Sequence, residues 1–130
     1  MERTAAVLRH GLAEALRPFD VTPTQLNVLR ILRGAAGQGF CRHEIGDRLV
    51  AQVPDVTRLL DRMEEAGLVT RERSAEDRRL VTTHITGAGL ALLDQIDTPL
   101  VALHARQLGH LTPEQLHTLI ALLALARQGS

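Results

Sequence analysis

Three residues close together in the sequence, Cys41, His43 and Glu44, carry side chains that could bind a metal ion or react with an oxidant. A thiol at a helix N-terminus has a lowered pKa and oxidises more readily, whereas a free cysteine is commonly a small buried residue. The six histidines are scattered and form no H-E-x-x-H or similar metal-binding pattern. We therefore expect no enzyme, no cofactor and no metal, with metal or redox sensing at this cluster as an alternative.

Arginine is the second residue type that could carry a function, because all fifteen basic residues are arginines. Fifteen acidic residues balance them, so any binding of nucleic acid would depend on where the arginines are placed. The stretch SAEDRRLVTTHIT, Ser74 to Thr86, has Arg78 and Arg79 in a charged turn that precedes a β-branched run, and a similar run lies upstream. This pattern predicts a β-hairpin with two arginines near its tip.

Capping signals divide the rest of the chain into helices. Thr22 to Gln25 form a capping box that opens one helix, and Thr112 to Gln115 repeat this signal near the end. A short helix over residues 42–49 precedes a helix that begins near Val53-Pro54, runs to Ala66 and ends at Gly67 in a left-handed cap. The predicted order is helix, helix, short helix, helix, hairpin, long helix, helix, which is a mainly α fold with a small β-hairpin (α+β).

The helix predicted from Val53 to Ala66 has one apolar and one polar face at 100° per residue. In a helix-turn-helix the second helix enters the major groove, and its N-terminal residues contact base edges. The polar face and the preceding turn supply these DNA-contact candidates: Gln52, Pro54, Asp55, Thr57, Arg58 and Arg62. Arg58 could read guanine or hold a phosphate, and Asp55 could accept from cytosine or orient Arg58 instead. An ordinary amphipathic surface helix would show the same polar face.

The last predicted helix is apolar around most of its circumference, through Leu116, Leu119, Ile120, Leu122, Leu123 and Leu125. Such a helix needs burial on several sides, and a chain of 130 residues has little to cover it with. We therefore predict a homodimer. Residues 1–130 would be a single domain in which 1–20 and 87–130 are dimerisation helices and 22–85 are the DNA-binding lobe. The alternative is a core helix in a compact monomer.

The segment VPDVTRLLDRMEEAGLVTRERSAEDRRLVTTHIT, Val53 to Thr86, resembles the MarR family of bacterial transcriptional regulators. The recognition-helix pattern V-T-R-L-[LV]-D-R-[LM]-E, the G-L-V turn, the D-x-R wing and the closing L/I-T occur in order. The resemblance implies a winged helix-turn-helix, with dimerisation helices at both ends of the chain, that binds palindromic promoter DNA. It also implies release by a small ligand or by oxidation, and a repressor as the most typical role.

The resemblance further assigns residues of the wing and of a ligand site. It implies that Arg79 enters the minor groove, that Asp77 keeps the wing in shape and that Arg78 meets a phosphate. In the family, Thr or Ser commonly caps the third helix, where this chain has Cys41. The ligand site of the family lies between the dimer helices and the DNA-binding lobe. Its candidate wall residues here, which could equally be plain core, are Leu8, His10, Leu12, Phe19 and Leu29.

The location of the protein and one further alternative follow from composition. A single cysteine excludes an internal disulfide, and no window has the roughly 18 apolar residues that a membrane span needs. The first residues lack the pattern of a signal peptide, so we expect a cytoplasmic protein that contacts no membrane. The zero net charge keeps open a dimeric interaction module of the same fold that does not bind DNA.

Overall fold

The helices and the hairpin follow the predicted order in the computed structural model, which describes residues 2–35 and 37–128. The elements within these ranges are α1 (Glu2–Leu16), α2 (Pro23–Gly34), α3 (Arg42–Arg48), α4 (Val56–Glu65), β1 (Val69–Arg73), β2 (Val81–Ile85), α5 (Gly87–Leu108) and α6 (Pro113–Gln128). A 3-10 turn, Arg17–Phe19, follows α1. The two strands pair antiparallel, with Val69 opposite Ile85. The predicted mainly α fold with a small hairpin is confirmed.

Side-chain caps set where the helices begin. The Thr22 hydroxyl accepts from the Gln25 N–H at 3.1 Å, and the Gln25 side chain accepts from the Thr22 N–H at 3.0 Å. Thr112 and Gln115 form the same reciprocal pair before α6. Each box satisfies two amides that the first turn of a helix leaves without a partner. Both predicted capping boxes are therefore confirmed.

Helix α4 begins about three residues later than the sequence predicted, at Val56 instead of near Val53. Asp55 is its N-cap, and the Asp55 carboxylate accepts from the Arg58 N–H at 2.9 Å. An aspartate cap satisfies an amide of the first turn, so it competes successfully with a start at Pro54. Gln52 and Pro54 consequently lie in the loop between α3 and α4, not on the helix.

One residue, Thr86, makes hydrogen bonds both to the turn that ends α4 and to the first turn of α5. Gly67 has a φ of +78°, as predicted for a left-handed cap, and the Leu68 N–H bonds back to the Met63 carbonyl at 3.0 Å. The Thr86 hydroxyl donates to the Gly67 carbonyl at 2.7 Å and accepts from the Gly89 N–H at 3.0 Å. A single side chain thus caps α5 and anchors it to the turn that ends α4.

One continuous core joins the helix-turn-helix to α5. Its fully buried side chains include Leu29 from α2, Ile45 from α3, Met63 from α4 and Leu93 and Ile96 from α5. Burial of side chains this large is the main stabilising contribution to the lobe. The lobe and α5 are therefore packed as one unit.

The hairpin is also tied to the segment before α3. Phe40 and Thr83 exchange two backbone hydrogen bonds, of 3.1 and 2.8 Å. Gly39, with a φ of +72°, precedes this bridge, and a Cβ at this position would lie 2.6 Å from the Thr83 carbonyl oxygen. Only glycine fits such a backbone approach. The start of α3 is thereby held beside the wing.

The terminal helices present a large apolar surface in the single chain. No residue of α6 as described, Pro113–Gln128, is buried, and Ile120, Leu122 and Leu125 are 63%, 58% and 61% exposed. Val101 on α5 and Val7 on α1 are similarly exposed. Among the described residues no helix has both the length and the hydropathy needed to cross a bilayer. Exposed apolar side chains thus occur on all three terminal helices, α1, α5 and α6.

Candidate nucleic-acid interface

Helix α4 lies on the core through the predicted face and directs the opposite face outward. Leu60 and Met63 are buried, and Val56 and Leu59 pack against the core cluster. Arg58 and Arg62 are exposed, one turn apart, on the outer face. Within residues 2–35 and 37–128 neither guanidinium has a hydrogen-bond or ion-pair partner. Both are therefore free to contact a ligand.

Asp55, for which the sequence left two roles open, caps the helix. One oxygen of its carboxylate bonds to the Arg58 backbone N–H, at the point where the Arg58 side chain leaves the helix. A carboxylate at a helix N-terminus also interacts favourably with the helix dipole. Of the two predicted roles of Asp55, the observed contact corresponds to orienting Arg58, and it is made to the Arg58 backbone.

Thr57 is held by a residue that the sequence analysis did not select. The Arg42 guanidinium, from the first residue of α3, donates to the Thr57 hydroxyl at 3.2 Å. Arg42 is itself exposed. An arginine at the start of the helix that precedes the recognition helix was the available signal, but only the crossing of α3 and α4 brings the two side chains together.

The wing has a defined turn between its strands. The Ser74 hydroxyl accepts from the N–H groups of Glu76 and Asp77, at 3.2 and 3.3 Å. The Asp77 carboxylate accepts from the Arg79 backbone N–H at 3.0 Å and from Arg79 Nε at 3.2 Å. The Arg73 guanidinium donates to the Arg78 carbonyl. The contact implied for Asp77 and Arg79 is present, and Ser74 and Arg73 are further wing-shaping residues that the sequence analysis missed.

An open cavity of about 460 Å³ separates the wing from α3 and α4. Arg42, Thr57, Arg71 and Arg79 are on its walls. The Arg79 side chain is 91% exposed, whereas the Arg71 side chain is only 23% exposed. The fold thus brings the recognition helix and the wing arginine to one surface, around a cavity whose walls include three arginines.

Arg71, on β1, forms two ion pairs with α4. Its Nη2 lies 2.6 Å from Asp61 Oδ1 and 2.8 Å from Glu64 Oε1. The Arg71 backbone N–H also donates to Glu64 Oε2 at 3.1 Å. Hydrogen bonding from the Arg71 side chain lowers the pKa of Glu64, and the same bond raises the pKa of Arg71. Glu64 and Arg71 are therefore both charged near neutral pH.

The acidic residues explain how a lobe without a basic excess can still present positive charge. Residues 42–79 contain eight arginines and nine acidic residues, a net charge of −1. Five of these acids accept hydrogen bonds or pair with arginine inside the lobe: Glu44, Asp55, Asp61, Glu64 and Asp77. The charges that a DNA backbone would contact at this surface therefore depend on local placement, not on net charge.

Cys41, His43 and Glu44 do not converge on one point. Cys41 is the N-cap of α3, the position expected from the resemblance, and its N–H donates to Glu44 Oε1 at 2.9 Å. This backbone hydrogen bond is the main reason that the pKa of Glu44 is lowered. In the described part of the chain, no group of three or more His, Cys, Asp and Glu side chains is placed to hold a metal. The Glu44 side chain accepts a hydrogen bond at the start of α3.

The five candidate ligand-site residues are not brought together in the single chain. Leu29 is fully buried in the core, while Leu8 and His10 are exposed on α1. Leu12 lines a groove of about 250 Å³ against α2. Phe19 lines a separate groove against α5. The family resemblance that suggested these residues did not distinguish core from groove.

Comparison with known proteins gives consistent results over the whole chain. The model of the MarR family matches residues 21–81. The uncharacterized HTH-type transcriptional regulator YkoM of Bacillus subtilis (strain 168) is 33% identical over 122 residues, which cover 93% of this chain and 77% of that protein. The crystal structure of a MarR transcription factor from Planctomyces limnophilus is 41% identical, with a TM-score of 0.74, and the match covers 95% of this chain and 89% of that one.

A third relative has been solved with nucleic acid. A mutant MarR from E. coli complexed with operator DNA has a TM-score of 0.87 and 29% identity, with 96% of this chain and 89% of that one covered. These relatives are transcription factors, and enzymes are not among them. The MarR transcription factor of Planctomyces limnophilus, 41% identical over 95% of this chain, together with the family model over residues 21–81, shows that the chain belongs to the MarR family of transcriptional regulators.

Proposed function

We propose that this protein is a dimeric, sequence-specific DNA-binding regulator that represses transcription and is released by a small ligand or a stress signal. The observation that carries the proposal is the common surface of α4 and the wing, where Thr57 and Arg79 line one cavity and Arg58 and Arg62 point outward. The relative complexed with operator DNA, similar over 96% of this chain, supports it. Bacterial promoter DNA lies in the cytoplasm, which is where we place the protein.

We assign the contacts by position on this surface. Arg58, in the first turn of α4, reads a guanine or holds a phosphate, and Thr57 contacts a phosphate or a thymine methyl group. Arg62, one turn later, and Gln52 and Pro54, in the preceding loop, complete the major-groove contacts. Asp55 acts through the position of Arg58.

The wing supplies the second set of contacts. Arg79 extends into the minor groove, where the negative potential favours arginine. Arg78 holds a phosphate, and Asp77 acts through the shape of the wing, because its carboxylate holds both the backbone and the side chain of Arg79. We therefore rank Arg79 above Arg78 in its effect on affinity.

The partner chain is a second copy of this protein. In the proposed single domain, residues 1–20 and 87–130 form the dimer and residues 22–85 form the DNA-binding lobe. The uncovered apolar side chains of α6, α5 and α1 support this arrangement, since an obligate dimer interface resembles a core cut in half. Two-fold symmetry then requires a palindromic operator with half-sites about one helical turn apart.

The ligand site belongs between the dimer helices and the lobe. Leu12 and Phe19 already border grooves there, on the α2 and α5 sides respectively. In the dimer the second copy closes the open side of α1, so that Leu8 and His10 become wall residues. Leu29 supports the floor from the core.

Selection of duplexes from a random-sequence pool at low salt tests the proposal, followed by fluorescence anisotropy on the selected duplex. The parent protein should bind saturably, and Arg79→Ala should bind about tenfold more weakly, with a salt slope smaller by about one unit. Arg30→Ala, which removes an exposed arginine of α2, outside α4, the wing and the proposed dimer helices, is the matched control and should bind like the parent. No saturable binding at low salt would contradict the proposal and favour a dimeric interaction module.

A further inference from the structure

Three residues of α4 form a stripe on the side that faces the wing. Thr57, Asp61 and Glu64 are spaced i, i+4 and i+7, which places them in one row along a helix. Arg42 donates to Thr57 at the N-terminal end of this row. Arg71 pairs with both acids at the C-terminal end. Two carboxylates thus border the proposed DNA-binding surface, beside the exposed Arg58 and Arg62.

Arg71 is unlike the other arginines of this surface. Its guanidinium is engaged by two carboxylates at 2.6 and 2.8 Å, and Nε adds a third contact, to Glu64 Oε1 at 3.3 Å. Its side chain is 23% exposed, so it lies between the elements and does not extend outward as Arg79 does. Charge-assisted hydrogen bonds of this kind hold the arginine and the carboxylates in one geometry.

We propose that Arg71 is a positioning residue for DNA recognition: by pairing with Asp61 and Glu64 it holds β1 of the wing on α4 and removes the repulsion that these carboxylates would exert on DNA phosphates. The inference rests on the proposed function, and it concerns a residue that does not itself touch DNA. Helix and wing then approach the two grooves as one body, with a spacing set by the Arg71 contacts.

The physical reason is that the two acids lie beside a polyanion. Phosphate neutralisation supplies most of the non-specific affinity for DNA, and unpaired carboxylates near the backbone oppose it. Without Arg71, Asp61 and Glu64 would also repel each other, three residues apart on one helix face. Replacing both acids and Arg71 by neutral amides removes the repulsion and keeps groups that can hydrogen-bond between α4 and β1, so the neutral set should work where the single replacement fails.

A neutralisation cycle, measured by anisotropy on the duplex that the parent selects, tests the inference. Arg71→Gln should bind about fivefold more weakly than the parent. The triple variant Asp61→Asn, Glu64→Gln, Arg71→Gln should return to within about twofold of the parent. The matched control combines Arg71→Gln with Asp47→Asn and Glu72→Gln. It has the same net charge but leaves the paired acids in place, and it should stay weak.

The salt dependence of binding gives an independent measurement. Arg79→Ala should lower the salt slope by about one unit. Arg71→Gln should also lower it, because salt screens the repulsion that the two unpaired acids exert on DNA, and the neutral triple should return the slope to the parent value. A slope that stays lowered by about one unit in the neutral triple would show that Arg71 contacts a phosphate directly and would overturn the proposal.

The outcomes separate this inference from the proposed function. Failure of the parent to select or bind DNA refutes the proposed function. Parent-like binding by Arg71→Gln, or a neutral triple that stays as weak as Arg71→Gln, refutes the inference alone. Equal rescue by the matched control would reduce the effect to net charge and would also refute it. Thermal unfolding is recorded for each variant; should Arg71→Gln not fold, binding by the neutral triple decides alone.

Discussion

The middle of the chain and its two ends satisfy their side chains in different ways. In the lobe five acids have local partners, such as Asp55 on the Arg58 N–H and Asp77 on Arg79. At the ends, α6 has no buried residue in its described length and exposes leucines and an isoleucine. The lobe thus satisfies these side chains within one chain, whereas α6 leaves apolar side chains uncovered that the proposed second copy would cover, so perturbing each region should affect a different property.

A charge placed in the apolar surface of α6 should have the largest effect. Leu122→Glu would bury a carboxylate in the proposed dimer interface, which is strongly unfavourable, so the protein should become monomeric. Binding to a palindromic duplex should then fall by about a hundredfold or more, because the two half-sites are no longer engaged together. Sedimentation equilibrium and anisotropy measure the two effects.

The control for this variant is on the same helix. His117→Glu adds the same charge at an exposed polar position and should remain a dimer. A Leu122→Glu protein that stays dimeric and binds the palindrome normally would remove the distinction between a complete lobe and incomplete ends.

Loss of the cap of α4 should have a smaller effect, confined to the lobe. Asp55→Ala removes the acceptor for the Arg58 N–H and should lower the free energy of unfolding by about 1 kcal/mol. Asp55→Asn retains a capping oxygen and should be close to the parent in stability. Denaturant unfolding compares the variants. A changed base preference in Asp55→Asn, found by repeating the duplex selection, would show instead that Asp55 reads DNA directly.

The smallest effect expected is a dependence of lobe stability on pH. Hydrogen bonding to Arg71 lowers the folded-state pKa of Glu64 below its ordinary value of 4.5. A lowered pKa means that the contribution to stability is present above pH 4.5 and is lost as the pH falls through the folded-state pKa. The difference in unfolding free energy between the parent and Glu64→Gln should therefore shrink below pH 4.5. A difference that stays constant with pH would contradict this assignment.

Local patterns predicted much of the fold because the responsible contacts span few residues. Both capping boxes involve residues three apart, and the left-handed cap at Gly67 needs only its own backbone freedom. The start of α4 was wrong for a related reason. Two local signals, Pro54 and Asp55, lie side by side, and the sequence does not state which one the helix will use.

The candidate site divides in the same way. The outward position of Arg58 and the Asp77–Arg79 contact follow from helix periodicity and from the family resemblance. Arg42 and Arg71 were missed because each acts across two elements: Arg42 lies 15 residues from Thr57, and Arg71 is on a strand that packs against α4. The structure distributes the proposed ligand-site residues between core, surface and two grooves, which the family resemblance did not distinguish.

The sequence by itself determined the order of the elements, the caps that open α2 and α6, and the family to which the chain belongs. These features depend on residue types at short spacing, which the chain carries whatever its tertiary arrangement. Only the tertiary structure decided that Arg42 holds Thr57, that Arg71 neutralises two acids of α4, and that the apolar surface of α6 is left uncovered. Such pairings depend on how helices and strands cross, and distance in space between elements is not written in any short stretch of sequence.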